Sequence, residues 1–153
     1  MSVFRKLLSL CVAVLCVMSF TACSQSGSSA SFFPTDYGFS VQLPESVQEN
    51  IRYDLSNREV GDETINTISV VYQGETGEAN ILIFEEMSSA MWEQMQSEGG
   101  PLPSELGASE DGRVVVMYPL QSNPYEAGTA DADAVDQFVS ESSIVTESFQ
   151  FLQ

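Results

Sequence analysis

Any acid–base or metal chemistry in this chain has to come from carboxylates. Of 153 residues, 22 are Asp or Glu, five are Lys or Arg, and none is His. The one lysine, Lys6, and the cysteines Cys11, Cys16 and Cys23 all lie near the N-terminus. Beyond them, Ser-His and Cys-His nucleophile pairs have no imidazole to take the proton. Ser-Lys dyads and Schiff-base chemistry have no amine, and zinc sites of the Cys/His kind lack their soft ligands. Walker-type phosphate loops lack their lysine, and no dinucleotide glycine fingerprint is present.

Paired carboxylates hydrolyse glycosidic bonds when held about 5–10 Å apart in a sugar cleft. Glu85, Glu86 and Glu93 are the candidates. Neighbours on a strand point to opposite faces, so Glu85 and Glu86 are expected not to share a cleft. No Asp-Thr-Gly or Asp-Ser-Gly tripeptide marks an aspartic protease. The run from Asp131 through Asp133 to Asp136 has the acidity of a calcium loop. An EF-hand, however, needs an oxygen ligand at position 5, glycine at 6 and glutamate at 12. Val135, Asp136 and Ser142 stand there instead. The acids fit the first turn of a helix, where they complement its dipole. Trp92 with Met91 and Met95 offers either an adaptable contact stripe or the packed face of a helix. Tyr118, Pro119 and the Asn123-Pro124-Tyr125 loop offer aromatic contacts. Arg52, Arg58 and Arg113 are isolated, and each is expected to pair with a nearby carboxylate. The expectation is no catalytic residue, no cofactor and no metal ligand set.

The remaining reactive side chain is Cys23. Arg5 and Lys6 precede an apolar run from Leu7 to Phe20, shorter than the about 20 residues a membrane-spanning helix needs. Positive start, short apolar run and small-residue exit describe a signal peptide. The exit Phe20-Thr21-Ala22-Cys23 resembles the lipobox of bacterial lipoproteins, with Phe20 where leucine is usual. That resemblance implies removal of residues 1–22 and a diacylglycerol thioether on Cys23, an anchor worth about 0.8 kcal/mol per buried methylene. The competing exit, after Ala30, lies ten residues past the apolar run. Cys11 and Cys16 leave with the signal, so no intramolecular disulfide remains possible. Residues 23–31 then form a Ser/Gly tether, whose eight residues after Cys23 span roughly 15 Å. Residues 32–153 make a single domain of about 120 residues, enough for one real core.

From Cys23 onward three arginines stand against 22 carboxylates, a net charge of −19 before the termini are counted. Nucleic acid is excluded as a partner, because phosphate neutralisation needs clustered Lys and Arg. Anionic headgroups repel such a domain; cationic peptides, polyamines or divalent ions attract it.

Hydrophobic periodicity lays out the elements. Phe39, Val41 and Leu43 alternate as a first strand stopped by Pro44, and Ile51, Tyr53 and Leu55 as a second that ends near Ser56-Asn57. Ile68, Val70 and Tyr72 mark a third. Ala79 to Phe84 is apolar on both faces and reads as central, joined to the third by a hairpin at Gly74–Gly77. A helix follows, capped by Ser88 or Ser89, with Met87, Met91, Trp92 and Met95 on one face and Gly99-Gly100-Pro101 as its stop. Leu102 to Asp111 reads as a loop and Val114 to Leu120 as a second central strand. One terminal helix carries Val135, Phe138, Val139, Ser142 and Val145. Phe149 and Phe151 alternate in a closing strand. The sum is an α+β domain, an antiparallel sheet of about five to six strands with two packed helices.

The stretch Tyr37-Gly38-Phe39-Ser40-Val41-Gln42-Leu43-Pro44 is similar to the opening of PsbP-like domains, and the later order to Phe151 follows the same outline. The family's tryptophan after the proline is replaced by Val47. The resemblance implies an antiparallel sheet with flanking helices and a binding or assembly role. The reading is a lipid-anchored extracytoplasmic module that binds an unknown partner without catalysis. Its alternative is an acidic sensor of cations or small ligands.

Overall fold

The computed structural model describes residues 37–152; the signal-peptide, tether and Cys23 readings lie outside the described residues. The fold is α+β. Five antiparallel strands form one sheet in the order β2-β3-β4-β6-β5, and β1 pairs with β7 in a second, two-stranded sheet. The strands are β1 (Phe39–Ser40), β2 (Ile51–Val60), β3 (Glu63–Gly74), β4 (Gly77–Ser88), β5 (Ser104–Ala108), β6 (Arg113–Pro119) and β7 (Gln150–Phe151). Helices α1 (Ser89–Glu98), α2 (Ala130–Ser140) and α3 (Ser143–Ser148) accompany them, with a 3-10 turn at Glu45–Asn50.

The doubly apolar runs of β4 and β6 are explained by cover on both faces. On one face, Ile68, Val70, Phe84, Val115 and Met117 pack beneath Phe39, Val41, Leu43, Val47, Val135, Phe138 and Val145. On the other, Ile65, Met87, Val114 and Val116 meet Met91 and Trp92 of α1. Met87 is thus on β4 rather than on the helix, although it packs in the helix's cluster. Trp92 is buried and its Nε1 donates to Glu105 Oε2 at 2.8 Å, so the Met–Trp stripe is core. Ser88 is the cap: its Oγ accepts from Met91 N, satisfying one of the orphan donors of the first turn. Gly99, at φ +69°, ends the helix.

Four boundaries differ from the sequence reading. The first strand pairs only over Phe39–Ser40. The second strand continues past Asn57 to Val60, because its register with β3 runs unbroken to Glu63. The stretch read as a loop contains β5, which pairs with β6 across a bulge at Glu105/Gly107. Its backbone supplies the pairing, so its side chains need show no alternation. The terminal helix is two helices. Ser140 Oγ donates to Gln137 O and Ser142 Oγ to Val139 O, and such hydroxyls compete with the amides that would continue the helix.

A buried carboxylate ties α2 to the sheet. Asp131 is 4 % exposed. It accepts from Glu75 N (3.1 Å), Thr76 N (3.2 Å) and Thr76 Oγ1 (3.2 Å) in the β3–β4 turn, and from the Tyr72 hydroxyl. A Cβ on Gly74 would lie 2.7 Å from Asp131 Oδ2, so glycine there lets the carboxylate reach the turn. Burial alone would raise the Asp131 pKa; the turn's donors reverse that and hold it below the ordinary aspartate value.

A folded-state pKa below the unfolded one gives stability that is complete above about pH 4 and lost as pH falls through the folded value. Asp131→Asn is therefore expected to lower Tm at pH 7, with the gap to wild type narrowing below about pH 4. Thermal unfolding followed by circular dichroism from pH 7 to 2.5 checks this. A gap that stays constant through the acid range contradicts the assignment.

Candidate functional site

The carboxylates nominated for chemistry are held apart. Glu85 and Glu86 project to opposite faces of β4. Glu85, 7 % exposed, accepts from Tyr118 Oη at 2.9 Å and from Arg58 Nη2 at 3.3 Å. Burial, then the Glu85 hydrogen bond, pushes the Tyr118 pKa up to about 12. Glu86 accepts from Arg113 Nη1 at 3.3 Å, and Arg113 Nε also donates to Asp111 at 3.0 Å. Glu93 sits on the exposed side of α1. Asp131 is the structural latch, Asp133 is exposed, and Asp136 accepts from Asn123 Nδ2 at 2.8 Å. Among the described residues no three acidic side chains gather as a potential metal ligand set.

Arginine placement follows the expectation. Arg52 pairs with Asp54 and Glu78, Arg58 with Glu85, and Arg113 with Glu86 and Asp111. The Asn123-Pro124-Tyr125 loop is structural as well. Tyr125 stacks edge-on against Tyr72 at 5.7 Å between ring centroids, and its hydroxyl donates to Gly77 O at 2.9 Å.

What the sequence reading did not isolate is a groove of about 540 Å³ on the main-core face of the sheet. Register builds its floor. Leu55 and Ile68 lie side by side across β2 and β3, and Asn57, Asn66 and Glu86 form the next row across β2, β3 and β4. An apolar row thus borders a polar one. Leu55 is 57 % exposed, more than any other large apolar side chain among the described residues. One wall is Arg113, whose guanidinium carbon lies 5.5 Å from the centroid of the Phe151 ring, within cation–π range. Tyr37 and Gly38 complete the rim. The signal available in sequence was the alternation of β2 itself: carried past Leu55, it places Asn57 on the same face.

Chemically, the groove offers two exposed amides, one apolar side chain, and a guanidinium and carboxylate engaged with each other.

Gly38 has φ +74°, and a Cβ there would meet Arg113 Nη1 at 2.8 Å. Left-handed backbone disfavours a Cβ by roughly 1–2 kcal/mol. Gly38→Ala is expected to destabilise by about 1–2 kcal/mol and to displace Arg113 from Glu86. Urea unfolding measures the first effect. A midpoint unchanged from wild type would remove the close approach on which this wall rests. No family model, curated protein or solved structure matches the chain.

Proposed function

We infer that the protein is a bacterial lipoprotein, anchored to the outer face of a membrane through a diacylglycerol on Cys23, whose folded domain binds a partner without catalysis. One observation carries the binding reading. Each described arginine is tied into an ion pair, while a groove with Leu55, Asn57 and Asn66 stays open beside them. The chain also lacks histidine, and its one lysine is Lys6. The anchor reading rests on the short apolar run ending at Phe20-Thr21-Ala22-Cys23. The similarity of the stretch from Tyr37 to Pro44 to the opening of PsbP-like domains supports an assembly role.

A second reading, an acidic sensor of cations or small ligands, has one observation in its favour. Glu45, Glu141 and Glu147 border a groove of about 560 Å³ between the 3-10 turn and the α2–α3 junction, with no cationic residue in its lining. Calorimetry with spermidine and with calcium at physiological salt separates the readings: saturable heat supports the sensor, and its absence removes it.

Two measurements test the first reading. Intact mass of the membrane-extracted protein should give a chain beginning at Cys23 and carrying lipid, and Cys23→Ala should release it from the membrane. An unmodified chain beginning downstream of Cys23 overturns the anchor. Affinity capture of the detergent-extracted protein from its own membranes should recover a partner that Leu55→Arg loses. Recovery unchanged by Leu55→Arg moves the contact away from the groove.

A further inference from the structure

Among the described residues, strand β2 stands at the edge of the five-stranded sheet. It runs for ten residues, from Ile51 to Val60, and its central residues Asp54 to Glu59 are all exposed. The opposite edge, β5, has only five residues. A long edge strand presents unpaired backbone donors and acceptors that template pairing with another chain. Its side chains decide which partner is admitted.

We propose that β2 pairs antiparallel with β2 of a second copy of this chain, Ser56 opposite Ser56, so that two five-stranded sheets become one continuous sheet. Register selects this pairing. In antiparallel pairing across a two-fold axis, opposite residues lie on the same face, so each register is centred on a single residue. Centred on Ser56, Asp54 faces Arg58 of the other copy twice, and Arg52 through Val60 are all paired. Opposite charges directly across a sheet are favourable and like charges unfavourable. Centred on Leu55, Arg52 would face Arg58 twice; centred on Asp54, two carboxylates would meet. Centring on Tyr53 also sets Arg52 against Asp54 twice but pairs only Ile51 through Leu55, and centring on Asn57 gives no opposite-charge pair and leaves Arg52 and Tyr53 beyond the ladder.

The favoured register also explains Leu55. There it lies opposite Asn57 of the other copy and diagonal to the other Leu55, where two apolar side chains otherwise open to water approach each other. Leu55 and Asn57 line the groove, so the partner supplies the missing lip and the two grooves meet at the axis. Net charge opposes association. At physiological ionic strength, however, charges more than about 8 Å apart are largely screened, whereas the paired charges are in contact. The inference goes beyond the binding reading and does not require a ligand in the groove.

Disulfide trapping tests it in the full-length protein in mild detergent, with wild type, carrying Cys23, as background. Directly opposed antiparallel residues have Cα atoms about 4.5–5.5 Å apart, within the range a disulfide bridges. Under mild oxidation Ser56→Cys is expected to form a covalent dimer at least about tenfold faster than Glu59→Cys, whose two copies lie far apart along the ladder. Asp54→Arg, which sets two arginines against each other, is expected to abolish the Ser56→Cys dimer while leaving the thermal transition in place. Equal trapping at positions 56 and 59 means random collision and overturns the register. No trapping at position 56 above background overturns the pairing, whether the edge is covered by a different protein, by the segment before Tyr37 or by nothing.

Discussion

Strand β4 carries apolar side chains on both of its faces, and each face has to be removed from water by a chain with little material to spare. That constraint arranges the rest. One face is closed by α1, which follows β4 directly and folds back over Ile65, Met87, Val114 and Val116. The other takes more distant pieces: the β1–β7 pair, the 3-10 turn around Val47, and α2 with Val135 and Phe138. The Asp131 carboxylate locks the last of these in place, since it sits on the first turn of α2 and holds both amides of the β3–β4 hairpin loop. Its burial is tolerable because the turn's backbone satisfies it. Among the described residues this cover does not extend over the outer half of β2, where the groove lies.

Charge is handled in the same economical way. With few arginines among many acids, each guanidinium is placed where two elements need joining. Arg58 ties the edge strand to Glu85 of β4, and Arg113 joins β6 to Glu86 while lying against Phe151 of the small sheet. Arg52 links Asp54 on its own strand to Glu78 on β4. Solvent-exposed pairs of this kind contribute little stability individually. Here they fix orientation.

Legibility in the sequence followed the physics of each element. The runs Ala79 to Phe84 and Val114 to Met117 could be read as central because two-sided burial removes polar residues from both faces. The hairpin at Gly74–Gly77 and the cap at Ser88 are local chemistry and were equally plain. Strand β5 was not, since Ser104 to Ala108 is held by backbone pairing with β6 and by the fit of Phe149 over Gly107. The division between α2 and α3 is encoded in serine hydroxyls that turn back on the helix, a signal that periodicity ignores. The isolation of the arginines predicted their ion pairs. The groove was hidden because Asn57, Asn66 and Glu86 become neighbours only through the register of three strands.

The pairing of β1 with β7 has a consequence for how the molecule comes into being. Phe39 meets Phe151, and Gln42 N donates to Ser148 Oγ across 106 positions of sequence. A polypeptide delivered from its amino end cannot seal its principal core until the carboxyl-terminal stretch has emerged. Contacts of such long span are slow to form, because the loop entropy must be overcome before they reward it. The nascent molecule therefore stays open until its last residues are available to close it.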